Sequence, residues 1–548
     1  MNLIDIHNPH FYITIAISIL NATIICFNGY KFFQALQLSG YRILGYFHWL
    51  KDTQAKYVSR LFILSFLSAC FLLVTNFLFY KIFNDFSYYA YISLIFYLYL
   101  SIVFIFNVKT SSKKIPLKYT KRMVRFIVTF FILICGVTFY LIAFFWQFSN
   151  IFNFSSIAIT PILIPIFIII VHFLLIPIEE LIKLSFMKKA KCKLKKHEHL
   201  IKIGITGSFG KTSTKYILNT LLSQKYKVCM SPNSYNTPMG LTKVINNYLT
   251  KEHEVLIAEM GAKKRGEIKY LCNFIEPQYG ILTGIGNQHL ETFLSIENIK
   301  KTKYELIENL HKDGIAIFNG NNSIVKNLYD ISNFTKKKYT ALNDDNAFVT
   351  AKDIKVSEIG ASFNIIIKNK LSFYVETVLL GTHNIENILL AVALSYELGL
   401  NENQIKQGIK QLKSVPHRLE LIKAQNGITI LDDSFNASVE GSIRALNVIK
   451  LFENKRKIVM TPGLIELGEK EYEENVLFGE RIATVANICI LVNLMHRKPL
   501  KEGLLNAGFL EKNIIECESL EKAQEKLATL LNKNDVLLIE NDLPDIYT

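Results

Sequence analysis

The sequence predicts an α-helical membrane region of about five transmembrane helices, followed by an α/β domain built around a phosphate loop and a second, smaller α/β domain. Three observations carry that prediction. Apolar stretches long enough to cross about 30 Å of hydrocarbon crowd into the first third of the chain. The pattern of apolar residues changes character at Leu200. A Gly-rich turn then falls between a strand-like run and a helix-like run. At 548 residues the chain is too long for one core, so two or three domains are expected.

The apolar stretches lie at 11–30, 61–80, 88–107, 123–146 and 157–176. The first does not read as a cleaved signal peptide, because no Lys or Arg precedes it and no small-residue cleavage site follows. Positive charge alternates between the connections. Lys31, Arg42, Lys51, Lys56 and Arg60 crowd one side; Lys109, Lys113, Lys114, Lys118, Lys121 and Arg122 follow two stretches later; Lys183 and the run Lys188 to Lys196 follow the last. The intervening segments are nearly free of Lys and Arg, with only Lys81 in one. The positive-inside rule then puts the N-terminus outside and everything after the fifth stretch in the cytoplasm, at the inner face of a cell membrane. The run Lys188 to Lys196 fits either an anionic lipid surface or the flank of a stop-transfer segment. Ionisable residues are nearly absent inside the stretches, which argues against a transporter.

The formal charge of +16 suggests nucleic acid until it is located. Residues 1–200 carry 20 Lys and Arg against 6 Asp and Glu, a net of +14, while the remainder is nearly balanced at +2. The excess belongs to the membrane half, so no nucleic-acid partner is expected. Eight scattered cysteines show neither CxxC nor a metal-like spacing, so neither a zinc site nor a disulfide framework is indicated.

From Leu200 the run "LIKIGITG" has the character of a buried strand, and "KTSTKYILNTLLSQ" that of a helix. Between them stand Gly207, Ser208, Phe209, Gly210, Lys211 and Thr212, with Ser213 next. The two glycines let backbone N–H groups converge on phosphate oxygens, and the helix N-terminus adds a favourable dipole. Lys211 supplies charge for the β- and γ-phosphates and Thr212 a hydroxyl for Mg²⁺, so ATP and Mg²⁺ are the expected cofactors. The usual GxxxxGK[ST] spacing fails, since Ile205 stands at its first Gly; the chain reads TGxxGKT. Glu259 ends the apolar run Val255 to Ala258, which would aim its carboxylate at the phosphate edge of a sheet, where a metal ion is held.

TGxxGKT resembles the phosphate loop of the Mur ligases, which build peptidoglycan stem peptides. Further segments follow in that family's order: "SYNTPMGLT" (234–242), "LIAEMGAKKRGEI" (256–268), "GIGNQHLETFLSIENIKKTKYELI" (284–307), "GTHNIENILLAVAL" (381–394), "VPHRLELI" (415–422) and "LDDSFNAS" (431–438). The second of these is similar to the D-Ala-D-Ala-adding (MurF-like) branch. The resemblance implies a central Mur ligase domain over 200–416 and a Rossmann-like C-terminal domain over 417–548, after a membrane region (1–182) and a basic linker (183–199). It implies His289 as a second metal contact beside Glu259, and Lys303 as a carbamylated lysine that shares the Mg²⁺. Register alone selects Lys303 over Lys300 and Lys301, and a solvated helix face explains all three equally well. His383, Asn384 and Asn387 would cap a helix or meet the nucleotide, with Asn319 and Asn321 as further nucleotide contacts. Arg418 would reach the phosphates, and Asp433 and Asn436 the nucleotide and acyl-phosphate site.

The implied reaction is ATP-dependent amide-bond formation through an acyl phosphate. A carboxylate-bearing cell-wall precursor, UDP-linked or lipid-linked, would be joined to an amino acid or dipeptide amine such as D-Ala-D-Ala. Four departures fall on the substrate side. The membrane stretches occupy the region where MurF enzymes hold the UDP-sugar. Leu464 stands where an Asp is expected. The chain closes on "VLLIENDLPDIYT" (536–548) where MurF enzymes have a Lys-Gly-Ser turn, and Ser438 and Val439 replace an Asn-Pro. A Mur-type ligase acting on another carboxylate therefore stays open, as does a non-catalytic membrane scaffold; the retained Lys211, Thr212, Glu259, His289, Lys303 and Arg418 argue against the scaffold.

Overall fold

The computed structural model describes residues 9–52, 56–83, 116–148, 155–232, 234–288, 290–368, 370–424, 427–435, 438–492 and 495–541. They divide into two compact units that part between Lys183 and Leu184.

The first unit is helical: Pro9–Asn28, Tyr30–Leu38, Ile43–Asp52, Lys56–Phe83, Lys121–Phe148 and the start of Ile164–Lys195. Among the described residues, three segments are long and apolar enough to cross a membrane: Phe11–Asn28, Lys121–Phe145 and Ile157–Lys195. They hold the first, fourth and fifth of the stretches read from sequence. The second lies in the helix Lys56–Phe83. The third, 88–107, lies outside the described residues. Three candidate spans thus stand against about five expected. Aromatic side chains fill the interior, with Phe33 edge-on to Phe130 at 5.0 Å. One buried polar clamp ties three segments: Asn21 donates to Thr138 Oγ1 at 2.9 Å and to Thr160 Oγ1 at 3.2 Å. An amide in an apolar interior must find such partners.

The second unit contains two sheets. The first has nine strands: β1 (Ile201–Thr206), β2 (Val228–Met230), β3 (Val255–Glu259), β4 (Tyr279–Leu282), β5 (Ile315–Asn319), β6 (Lys337–Leu342), β7 (Val349–Ser357), β8 (Gly360–Ile367) and β9 (Leu371–Thr377), in the order β2-β3-β1-β4-β5-β6-β7-β8-β9. Strands β1 to β7 pair in parallel and β8 and β9 antiparallel. The apolar run Val255 to Ala258 of β3 and the buried last four residues of β1 suit strands covered on both faces, whereas β9 alternates buried and exposed residues, as a sheet with one wet face requires. The last turns of Ile164–Lys195 join this core through Met187, Ala190 and Leu194.

The second sheet has six strands: β10 (Glu420–Lys423), β11 (Thr429–Asp433), β12 (Lys457–Thr461), β13 (Ile488–Val492), β14 (Ile514–Cys517) and β15 (Val536–Glu540), ordered β10-β11-β15-β12-β13-β14. All its pairings are parallel except β10 with β11. In such sheets the strand order reverses at a switch point, and the carboxyl ends there open the crevice that takes ligands. In the first sheet the ends of β3, β1 and β4 meet at that point; in the second, those of β11, β15 and β12 do.

Candidate functional site

The turn after β1 is shaped by two glycines. A Cβ on Gly207 would stand 2.1 Å from Thr283 Oγ1, so only glycine permits the close approach to the end of β4. Gly210, at φ 79°, caps the helix Lys211–Leu222 in a left-handed conformation, and a Cβ there would meet Asn387 Oδ1 at 2.9 Å. Ser208 fixes the turn from the other side: its N–H donates to Gly284 O at 2.6 Å and its hydroxyl to Gly286 O at 3.2 Å. The Lys211 ammonium folds back over the turn and donates to the carbonyls of Gly207 and Ser208, both at 2.7 Å. Burial holds its pKa down to about 8; Glu259 opposes the shift and Arg418 adds to it.

Glu259 is the hub of the adjoining edge. Its Oε1 accepts from the Thr212 hydroxyl at 3.2 Å and from Asn236 Nδ2 at 3.1 Å. Lys215, one helical turn beyond Lys211, lies 3.1 Å from Oε2, with both side chains fully buried. The hydroxyl and the carboxylate are hard oxygen donors set side by side, so the residues present fit a Mg²⁺ ion.

Lys303 reaches the same region from the helix Ile296–Glu308. Of the three neighbouring lysines it alone is buried, at 3% exposure, while Lys301 is exposed and Lys300 half-buried. Its Nζ lies 3.5 Å from Ala262 O and 5.6 Å from the centre of the Phe293 ring. Burial and the nearby Lys211 charge hold its pKa down to about 7. An amine of that kind is a mixture of ammonium and neutral amine near neutral pH, and the neutral form can add CO₂.

The second sheet brings Arg418 to the first. Val415 and Arg418 form an isolated bridge, and the flanking His417 and Leu419 sit at φ 59° and 50°, a tight and strained turn. The Arg418 guanidinium lies 4.8 Å from the centre of the Phe435 ring. Burial lowers its pKa, while the charges of Asp433 and Glu259 raise it, so it stands within electrostatic reach of both sheet edges. The Asp433 carboxylate accepts the Leu419 N–H at 3.0 Å; burial pushes its pKa up to about 6, against the pull of Arg418. Beside it, His417 Nδ1 lies 2.7 Å from Asp432 Oδ2, which holds the turn.

The asparagines act mainly as braces. Asn387 accepts from the Thr214 hydroxyl at 3.1 Å, and Asn384 donates to Leu380 O at 2.8 Å at the start of the helix Thr382–Glu397. Asn384 also lines a small cavity with Ser213 and Arg418. His383 is held down to about 3 by burial and by Arg444. Asn319 donates to Glu386 at 3.1 Å, and Asn321 hydrogen-bonds back to Asn319. His289 and Asn436 lie outside the described residues.

One site therefore gathers Gly207, Ser208, Gly210, Lys211, Thr212, Glu259, Lys303 and Arg418 around the β1 turn. Sequence reasoning passed over Lys215, Glu440 and Glu540. Lys215 carried a signal, lying four residues after Lys211 on the apolar face of its helix. Glu440 accepts the Asn287 N–H at 3.1 Å and so ties the second sheet's body to the first. Glu540 ends the run "VLLIE" much as Glu259 ends "VLIAE".

Residues 205–395 match the Mur ligase middle domain, and residues 417–540 the Mur ligase glutamate ligase domain. The chain is 32% identical over 271 residues to the UDP-N-acetylmuramoyl-tripeptide–D-alanyl-D-alanine ligase of Bacillus subtilis, covering 49% of this chain and 57% of that one. It is 32% identical over 278 residues to the enzyme of the same name from Escherichia coli K12, covering 51% and 61%. It thus spans less than two thirds of the length of these relatives. Among solved structures, MurF ligase from Thermotoga maritima in complex with ADP superposes with a TM-score of 0.58 at 26% identity, over 66% of this chain and 81% of that one. MurF from Acinetobacter baumannii gives 0.60 at 22% identity, over 67% and 78%, a likeness of fold.

Proposed function

We propose, for a chain that belongs to the Mur ligase family through its middle and C-terminal domains, an ATP-dependent ligase that forms an amide bond through an acyl phosphate. The reading rests on one observation above the others: Lys211, Thr212 with Glu259, Lys303 and Arg418 surround a single sheet edge, drawn from four separated stretches of sequence. The γ-phosphoryl group of ATP passes to a substrate carboxylate. Lys211 and Arg418 offset the charge on the transferring oxygens. Thr212 and Glu259 would hold Mg²⁺, with His289 and a carbamylated Lys303, and the ion would supply further charge stabilisation when bound. Ser213, Asn319, Asn384, Asn387 and Asp433 bound the nucleotide side, and Asn436 the acyl side. An amine then attacks the acyl carbon and phosphate leaves. Closure of the two α/β bodies, which Glu440 with Asn287 already links, would exclude water from an intermediate that hydrolyses readily.

The substrates proposed are those named for the relatives: a UDP-N-acetylmuramoyl-tripeptide as the carboxylate and D-Ala-D-Ala as the amine. A lipid-linked carboxylate at the inner membrane face is the second reading, favoured by the apolar helices that precede the ligase unit. In either case about five spans, an outside N-terminus and a cytoplasmic site follow from the alternation of Lys and Arg along the sequence.

Purified full-length protein should release ADP from ATP only when given both a carboxylate and an amine. Turnover with a pair other than UDP-N-acetylmuramoyl-tripeptide and D-Ala-D-Ala would remove the MurF-type specificity and leave the ligase chemistry. No turnover with any pair, together with no ATP binding, would favour the scaffold.

A further inference from the structure

The carboxyl end of β15 holds a buried acid that the ligase chemistry above leaves unused. Glu540 is fully buried. Its Oε1 accepts from the Ser442 hydroxyl at 2.6 Å, and its Oε2 has no hydrogen-bond partner among the described residues. The register places Glu540 directly beside Asp433 on the neighbouring parallel strand, so both carboxyls stand on one face of the sheet. On the other side β12 ends in Thr461, which brings no charge. Asp433 lies within reach of Arg418, and Arg418 in turn acts on Lys211 and Glu259. The unused acid therefore borders the place where an acyl phosphate would form.

A buried carboxyl with an oxygen left unpaired costs free energy on the order of 1–3 kcal/mol, and more when ionised. Among the described residues no Lys, Arg or His forms an ion pair with it, whereas Glu259 has Lys215. Of the two adjacent carboxyls Asp433 has the Arg418 charge within reach, so Glu540, with its open Oε2, is the one placed to receive a further cation.

We infer that Glu540, together with Asp433, binds the ammonium group of the incoming amine and takes a proton from it. This rests on the ligase reading and adds the step that reading lacks, since an ammonium has no lone pair with which to attack. One N–H proton passes to the carboxyl pair. The freed lone pair forms the C–N bond at the acyl carbon, the C–O bond to the phosphoryl group breaks, and that electron pair leaves with phosphate. The second proton lost by the nitrogen departs with the phosphate, which completes a neutral amide. Glu540 is thus a catalytic residue on the amine side, matched to a primary ammonium rather than to a neutral or anionic nucleophile.

Hydroxylamine, already neutral near neutral pH, separates the two half-reactions. With ATP, Mg²⁺ and UDP-N-acetylmuramoyl-tripeptide it intercepts the acyl phosphate as a hydroxamate and needs no base. The isosteric Glu540→Gln variant should form hydroxamate at the wild-type rate while its turnover with D-Ala-D-Ala falls by about 100-fold. That loss should shrink as the pH is raised past about 8, where an α-amino group sheds its own proton. Unchanged turnover with D-Ala-D-Ala in the variant overturns the inference, and so does a parallel fall in both products, which marks a structural role. Wild-type protein that yields hydroxamate but no D-Ala-D-Ala product also overturns it and leaves the ligase reading standing. Absence of hydroxamate from the wild type with every carboxylate offered, UDP-linked and lipid-linked, removes the ligase reading itself, and this step with it.

Discussion

Two strands of this chain carry nearly the same sequence to nearly the same place. In β3 the run "VLIAE" ends on Glu259, and in β15 the run "VLLIE" ends on Glu540. Each strand lies inside its sheet, β3 between β2 and β1 and β15 between β11 and β12. Each therefore projects a buried carboxyl at a carboxyl edge where strand order reverses. What they meet differs. Glu259 is met by Lys215 at 3.1 Å, Thr212 at 3.2 Å and Asn236 at 3.1 Å. Glu540 is met by one serine and by a second acid, and burial with the Asp433 charge pushes its pKa well up. Identical local patterns thus become a balanced post at one edge and an unbalanced receptor at the other. The neighbours supplied by other elements decide which.

The largest expected effect removes the cation that roofs the first edge. Lys211→Ala takes away the charge offered to the transferring phosphoryl group, and ADP formation should fall by about a thousandfold. An ADP-release assay with both substrates present checks it, and unimpaired turnover would sink the site assignment. The balance at Glu259 is tested next. Lys215→Met leaves that carboxylate buried without its counter-charge and should cost about 3–5 kcal/mol in urea unfolding. Adding Glu259→Gln to Lys215→Met should restore much of the loss, because the unpaired charge then disappears. If the two losses simply add, the pair is not the unit described here.

The comparison also marks what a sequence can disclose. The phosphate turn was legible because its residues act locally: Gly207 and Gly210 are demanded by backbone geometry, and Lys211 and Thr212 follow at fixed helical positions. Glu259 was legible for the same reason, by following an apolar run after such a turn. Glu540 follows an equally apolar run inside the segment 536–548 that departs from the family's turn, but no motif before β15 marks that acid for a role. Its meaning lies in Asp433 and Ser442, distant in sequence and joined only by the sheet. Lys303 was ambiguous in sequence because three lysines share a helix, and only burial against Phe293 and Ala262 separates them. The membrane region was legible as apolar length and alternating charge, properties that need no partner; three of its stretches recur as candidate spans among the described residues.

Lys303 sharpens the first edge without breaking it. Lys303→Ala should lower turnover by about 10- to 100-fold through lost support of the metal site. Removing dissolved CO₂ should lower wild-type activity, and bicarbonate should restore it while leaving the variant unchanged. The sign with pH follows from a folded pKa held down to about 7 from an unfolded value of 10.5. The folded state pays for the ammonium below about 7, and that cost is relieved as the pH rises toward 10.5. In the folded protein the neutral amine that reacts with CO₂ grows as the pH rises through about 7. Activation by bicarbonate should therefore be weak at acid pH and increase through neutrality; a flat response would separate Lys303 from carbamate chemistry.

The smallest effect belongs to the second edge. Ser442→Ala removes the one hydroxyl that donates to Glu540, and should cost about 1 kcal/mol in thermal unfolding. That bond holds the Glu540 pKa down against burial, so its loss lets the pKa climb further above the unfolded value. An acid whose pKa is raised by folding contributes stability that is present below its unfolded pKa and lost as the pH rises through the folded one. The deficit of Ser442→Ala relative to wild type should therefore be least in acid, where Glu540 is protonated in both proteins, and widen toward alkaline pH. Glu540→Gln should show the opposite trend, gaining on wild type as the pH rises, because the amide has no charge to bury. Parallel curves for all three proteins would mean that Glu540 is not the buried, cation-poor acid that distinguishes this edge from the one around Glu259.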